Sequence, residues 1–249
     1  MLPVSALFKR GKSEAGAGQL ILHWVVFRLK ATGMVTTHPE TDSQWDNFMR
    51  LGIFGGTFDP IHYGHLILAE TCRQELALDE VRFVPAGNPP HKTDGVSDGH
   101  ARADMVQLAV SGYPEFTVDR REIRRSGPSF TFVTLEEIRR EMENSKLFFL
   151  MGADSLKDFP TWRKPDRILQ LSVVLAVNRP GHTLPEPNGI QSLAGELDTS
   201  RIRLLSMPGT DISGTDVRNR VRNGQGLRFL TPRSVEVFLT EHKLYDESL

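Results

Sequence analysis

The residues best suited to chemistry lie together in Gly55-Gly56-Thr57-Phe58-Asp59-Pro60-Ile61-His62-Tyr63-Gly64-His65. The apolar stretch Arg50 to Phe54 before them reads as a strand, and helical periodicity begins at Gly64. Two glycines directly after a strand let the backbone approach a ligand closely. A helix start offers free backbone N–H groups and the positive end of a dipole, which together suit an anion. His62 and His65 share one face of the first turn and add imidazole donors for the same oxygens. This chemistry is phosphate binding. Zinc is the other use for a histidine pair, but no cysteine or further histidine stands nearby at ligand spacing. Asp59 before Pro60 suits a turn, with metal ligation as the alternative.

A second string, Ile212-Ser213-Gly214-Thr215-Asp216-Val217-Arg218, has the same physical logic. Ser213 is an N-cap candidate, and the free amides behind it suit phosphate. Arg218 lies one turn later, where its planar fork reaches the same anion. An ordinary capped surface helix is the plainer reading of this string taken alone. Arg220 and Arg222 read as solvated, as do Arg120, Arg121, Arg124 and Arg125. Cys72 falls in an apolar periodic stretch and reads as core.

The elements that must hold these strings alternate in type. Strands are expected at Arg50–Phe54, Val81–Pro85, Phe116–Val118, Leu147–Met151, Val173–Val177 and Ile202–Leu205. Helices are expected at Gly64–Leu78, around Ala101, Met105, Leu108 and Ala109 on one face, and around Leu135, Ile138 and Met142. Two more start near Ser213 and Pro232. Fully apolar strand runs suit strands covered on both faces. The expected fold class is α/β: a Rossmann-like, doubly wound parallel sheet in a single domain with a C-terminal helical end. Ligands in that architecture bind at the carboxyl ends of the strands, which is where both strings fall. Pro180 to Gly189 reads as a surface loop.

Residues 1–48 carry Gly/Ser/Ala and Thr/Pro/Glu patches without clean periodicity. They are read as an N-terminal extension, either disordered or not translated, since Met34 and Met49 are alternative starts. Residues 49–249 read as one continuous α/β domain. The formal net charge of −1 argues against non-specific nucleic-acid binding. No apolar run is long enough for a membrane span. The single cysteine excludes an intramolecular disulfide and suits a reducing, cytoplasmic setting. Monomer and homo-oligomer both stay open.

The first string, from Gly56 to His65, resembles the signature of bacterial nicotinate-nucleotide adenylyltransferases, members of the nucleotidyltransferase superfamily marked by His/Thr-x-Gly-His. Further stretches resemble the same family. Asn88-Pro89-Pro90-His91-Lys92 is similar to its phosphate-side loop. Phe130-Thr131 with Thr134-Leu135 is similar to its Ser-Tyr-Thr…Thr-Leu segment, with phenylalanine for tyrosine. Gly152-Ala153-Asp154-Ser155-Leu156 with Phe159 and Trp162 is similar to its Gly-x-Asp…Trp stretch. The second string resembles its Ile-Ser-Ser-Thr-x-Ile-Arg signature, with Gly214 in place of serine. The resemblance runs from Met49 to Tyr245.

The resemblance implies transfer of the adenylyl group of ATP to nicotinate mononucleotide, forming nicotinate adenine dinucleotide and pyrophosphate in NAD biosynthesis. It implies His62, His65 and Arg218 as catalytic residues. ATP would be bound by Gly55, Gly56, Thr57, Phe58, His62 and His65, and by Ile212, Ser213, Thr215 and Arg218. Lys92, Thr131, Asp154 and Trp162 would bind the acceptor, with the indole stacked on the pyridine ring. Mg²⁺ is the implied cofactor, held mainly by ATP phosphates, with no metal-ligand set from the protein. Nicotinamide mononucleotide or phosphopantetheine as acceptor, and a catalytically dead nucleotide sensor, are the competing readings. A serine hydroxyl missing at position 214 matters only if that hydroxyl, and not the backbone amide, binds phosphate.

Overall fold

A computed structural model describes residues 48–89, 96–178 and 197–246. They belong to one compact unit, Asn47–Leu249. The expectations for residues 1–47, for Lys92 and for the Pro180–Gly189 loop lie outside the described residues.

The elements run β1 (Met49–Gly56), α1 (Tyr63–Glu75), β2 (Glu80–Pro85), α2 (Gly99–Val110), β3 (Phe116–Val118), α3 (Arg121–Arg124), α4 (Thr131–Glu141) and β4 (Ser145–Gly152). Two short 3₁₀ turns, Ala153–Leu156 and Phe159–Thr161, follow β4. Then come α5 (Pro165–Leu171), β5 (Val173–Asn178), a 3₁₀ turn at Thr199–Arg201, β6 (Ile202–Ser206), α6 (Gly214–Arg222) and α7 (Arg233–Glu241). The six strands form one parallel sheet in the order β3-β2-β1-β4-β5-β6. The chain winds outward from β1 to β3, then returns to β4 on the other side of β1. The order reverses between β1 and β4, the switch point at whose strand carboxyl ends this architecture binds ligands.

The apolar strand runs are explained by two core layers. Along β4, Leu147, Phe149 and Met151 enter one layer with Leu135 and Ile138 of α4. Phe148 and Leu150 enter the other with Leu68 and Cys72 of α1, Met105 of α2 and Val217 of α6. The two-residue period sends alternate side chains to opposite faces, so a strand covered on both sides shows no polar alternation. Cys72 is fully buried, which pushes its thiol pKa up to about 12. No helix among the described residues is long and apolar enough to cross a membrane.

Three expectations need correction. The helix expected to reach Leu78 ends at Glu75, because Ala77 turns the chain with φ 46°. Leu78 is still buried, but from the turn into β2. The core face of α2 is rotated from the expected one: Leu108 is 37% exposed, whereas Arg102 is 1% exposed. A charged residue occupies a core position, so a pattern drawn from apolar residues alone mislaid the face. Arg124 is exposed as expected, but Arg120, Arg121 and Arg125 are ion-paired. Arg121 lies 2.7 Å from Glu141 and 2.6 Å from Asp119. Arg125 lies 2.9 Å from Glu137 and also donates to Thr134. Arg120 pairs with Asp104.

Candidate active site

Helix α1 begins where the turn after β1 ends, with His62 as its N-cap residue. His62 is 2% exposed and its ring stacks on that of His65, centroids 3.8 Å apart. The backbone N–H of His62 donates to Nδ1 of His65 at 3.3 Å. An accepting Nδ1 leaves the proton of a neutral imidazole on Nε2, on the far side of the ring from the backbone. Phe58 meets the His65 ring edge-on at 5.1 Å. His65 is only partly buried. Its ring is therefore braced on one side and reachable on the other. Gly64, between the histidines, is required by space. A Cβ there would lie 3.0 Å from the His62 ring and 3.3 Å from the carbonyl oxygen of Ile212.

That carbonyl belongs to the approach to α6, so the N-termini of α1 and α6 meet. Ser213 is the N-cap of α6, its Oγ accepting from the Asp216 amide at 3.1 Å. Arg218, one turn in, donates from Nη1 to the Asp59 carbonyl at 2.7 Å and from Nη2 to Thr215 Oγ1 at 3.3 Å. A Cβ on Gly214 would lie 3.0 Å from the same Asp59 oxygen and 3.3 Å from Arg218 Nη1. Two positive helix ends, two imidazoles and one guanidinium thus converge on one place. Gly55, Gly56 and Thr57 are half-buried at the carboxyl end of β1, and Phe58 is buried beneath them. Every residue expected on the ATP side belongs to these two strings or the strand end between them.

Asp59 faces inward. It is 7% exposed, and its Oδ1 accepts from the Tyr245 hydroxyl at 2.6 Å. The turn role is thus the one its contacts fit. Burial and the Asp59 carboxylate together hold the Tyr245 pKa well above its ordinary value.

The residues expected on the acceptor side lie beyond β4 and at the start of α4. Trp162 is half-buried, edge-on to Phe149 (6.0 Å) and Phe159 (5.5 Å). Thr131 is the first residue of α4. Its neighbour Phe132 carries the Lys164 ammonium 4.7 Å above its ring, which links this helix start to the Trp162 segment. Asp154 is exposed and accepts from the Ser155 amide at 3.1 Å. Among the described residues no hydrogen bond or ring contact ties Asp154 to Thr131 or Trp162, so these three lack the mutual bonds seen on the phosphate side.

Sequence reasoning missed Arg102, Tyr245 and Ser129. Ser129 Oγ accepts from the amides of Gly87 and Asn88, at 3.0 and 3.2 Å, and pins the turn after β2. Arg102 donates to the carbonyls of Thr57, Ala86 and Ser97 at 2.6, 2.6 and 2.9 Å. The only clue was an arginine inside an otherwise apolar helical face. For Tyr245, beyond the last helix, there was no clue in spacing.

The cytidylyltransferase-like family model matches residues 53–220. A probable nicotinate-nucleotide adenylyltransferase of Thermomicrobium roseum is 43% identical over 199 residues, covering 79% of this chain and 91% of that one. One from Thermus thermophilus is 42% identical over 197 residues, covering 79% and 100%. The fold is also that of the Plasmodium falciparum nicotinic acid mononucleotide adenylyltransferase complexed with NaAD, with a TM-score of 0.64 at 16% identity over 79% of this chain and 97% of that one. The chain belongs to the cytidylyltransferase-like nucleotidyltransferases and, among them, to the nicotinate-nucleotide adenylyltransferase family.

Proposed function

We infer that this protein transfers the adenylyl group of ATP to nicotinate mononucleotide, forming nicotinate adenine dinucleotide and pyrophosphate in NAD biosynthesis. The observation that carries the reading is the meeting of the α1 and α6 N-termini, with His62, His65 and Arg218 at the junction. A 5′-phosphate oxygen of the acceptor attacks the α-phosphorus of ATP in line. The bond from that phosphorus to the β-bridging oxygen breaks, and pyrophosphate leaves. The nucleophile is already anionic, so the protein needs no base. Its tasks are to hold two anions together and to stabilise charge on the transferring phosphoryl group.

In this reading, His65 donates from Nε2 to the α-phosphate, and buried His62 supports it in the stacked pair. The Gly55–Phe58 turn approaches the nucleotide by backbone. The amides after Ile212 and Ser213, with Thr215 and Arg218, receive the β,γ-phosphates. Trp162 stacks on the pyridine ring, Thr131 with nearby amides receives its carboxylate, and Asp154 bonds the ribose or amides. Lys92 supplies a mobile positive charge. Mg²⁺ is the cofactor this reading requires, and when bound it neutralises phosphate charge. Asp59 is turned inward to Tyr245, which fits an ion that rides on the nucleotide and keeps its waters.

The test offers the purified protein, ATP and Mg²⁺ with nicotinate mononucleotide, nicotinamide mononucleotide or phosphopantetheine, recording pyrophosphate release. Nicotinate mononucleotide is expected to have the highest kcat/KM. An amide acceptor places an NH₂ donor where the carboxylate accepts, and an unpaired buried donor costs about 1–3 kcal/mol. Equal kcat/KM for the two pyridine nucleotides would overturn the acceptor assignment. We also propose that residues 1–48 are dispensable, because the family resemblance begins at Met49. A chain starting there is expected to be soluble and active, and its failure to be so refutes the boundary.

A further inference from the structure

Arg102 is a cation buried to 1% exposure, and among the described residues its guanidinium is bonded to three backbone carbonyls and to no carboxylate. Burial pulls its pKa down, and the charge of nearby Asp59 acts against that pull. Burying a charge is costly unless its donors are met, and here three carbonyls meet them. Its three acceptors lie on three separate stretches of chain. Thr57 is in the turn that delivers His62 and His65. Ala86 directly follows β2, and Ser97 immediately precedes Asp98, the N-cap of α2. One planar guanidinium therefore fixes the spacing between the β1–α1 turn and the carboxyl end of β2.

Tyr245 holds the same turn from the other end of the chain. Its hydroxyl donates to Asp59 Oδ1 at 2.6 Å, two residues beyond the Thr57 carbonyl that Arg102 holds. Asp59 in turn gives its carbonyl to Arg218 Nη1. The Thr57–Asp59 turn is thus held twice, by Arg102 at Thr57 and by Tyr245 at Asp59, and through Asp59 the hold extends to Arg218.

We propose that Arg102 and Tyr245 are positioning residues for adenylyl transfer, a double clamp that sets where the His62/His65 turn and Arg218 stand relative to the carboxyl end of β2. The proposal rests on the adenylyl-transfer reading. Neither residue touches substrate. Each acts by fixing backbone whose displacement by a fraction of an ångström would misdirect the imidazole donors. Misplacement by about 1 Å far from the chemistry can cost roughly 10²-fold in rate.

The cleanest probe is Tyr245→Phe in the full chain, because it removes one hydroxyl and keeps the ring. Expected are a fall in kcat of about tenfold, as smaller displacements than that limit would give, and a KM for ATP within about twofold of the parent. The melting temperature should still lie well above the assay temperature. Arg102→Lys cannot reach three carbonyls and should lose more of kcat, again with less effect on KM. A Tyr245→Phe enzyme with parental kcat overturns the proposal. So does a loss of kcat that tracks a fall in melting temperature. Amide exchange across residues 57–65 is a readout that needs no turnover. Faster exchange there in Tyr245→Phe supports the clamp, and unchanged exchange overturns it. A parent enzyme with no activity on nicotinate mononucleotide would overturn the functional reading, while the exchange comparison would still decide the clamp.

Discussion

The phosphate side and the acceptor side of the candidate site are built differently. On the phosphate side nearly every group is braced. His62 is buried and stacked on His65, the His65 ring is wedged by Phe58, Arg218 is bonded to the Asp59 carbonyl, and Asp59 is bonded to Tyr245. On the acceptor side Asp154 is exposed, and the Trp162 ring is half-buried and meets Phe149 and Phe159 edge-on. The difference follows from the work each side does. Charge that develops on a transferring phosphoryl group is stabilised best by donors that need no reorganisation. A flat ring can be recognised by one stacking surface and a few polar contacts, whose small losses cost affinity more than rate.

The largest effect should come from the phosphate side. His65→Ala is expected to lower kcat roughly 10²–10³-fold, about 3–4 kcal/mol, by analogy with the loss of one oxyanion donor. Thermal melting should change little, because His65 is only partly buried. Steady-state kinetics beside a melting curve decide it, and a near-normal kcat would remove His65 from the site and erase the contrast.

Trp162→Leu tests the other side. The substitution keeps bulk against Phe149 and Phe159 but removes the aromatic face. Loss of about 0.5–1.5 kcal/mol of ring stacking predicts a rise in the acceptor KM of up to roughly tenfold, with the ATP KM unchanged. An effect confined to kcat would mean that the acceptor side is as rigidly committed to the reaction as the phosphate side.

A smaller change is expected from Gly214→Ser. Replacing a glycine can add about 0.4–1 kcal/mol through the unfolded chain. Here the new Cβ would crowd the Asp59 oxygen at 3.0 Å. The two effects oppose each other, so stability should move by under about 1 kcal/mol. If the clearance serves Arg218, kcat falls. A clear gain in kcat would mean that a hydroxyl at this position binds phosphate.

The smallest effect concerns Cys72, in α1 behind the histidine pair. Its thiol, pushed up to about 12 by burial, should resist alkylation of the native protein at neutral pH and react on unfolding. In the unfolded chain the thiol ionises near its ordinary value of 9.0, while the folded chain keeps it protonated. Its contribution to stability is therefore present below about 9 and lost as pH rises toward 12. Rapid native-state labelling at neutral pH would show that α1 opens more readily than its packing implies.

Apart from the short helices α3 and α5, which it did not reveal, the sequence alone determined the order of strands and helices, the two phosphate-binding strings and the family resemblance. These are local properties. Apolar runs, glycines after a strand and an N-cap serine are each written in a few consecutive residues, and so were legible at Leu147–Met151, Gly55–Gly56 and Ser213. Only the tertiary structure decided that Gly64 and Ile212 touch, that Arg218 meets the Asp59 carbonyl, and that Arg102 and Tyr245 both hold the Thr57–Asp59 turn. Arg102 could not be recognised because hydrophobic patterning assigns a charged residue to solvent, whereas three backbone carbonyls made its burial possible. Tyr245 could not be recognised because its partner Asp59 lies 186 residues away. Spacing along a chain carries no record of contacts that exist only once the sheet has closed around its switch point.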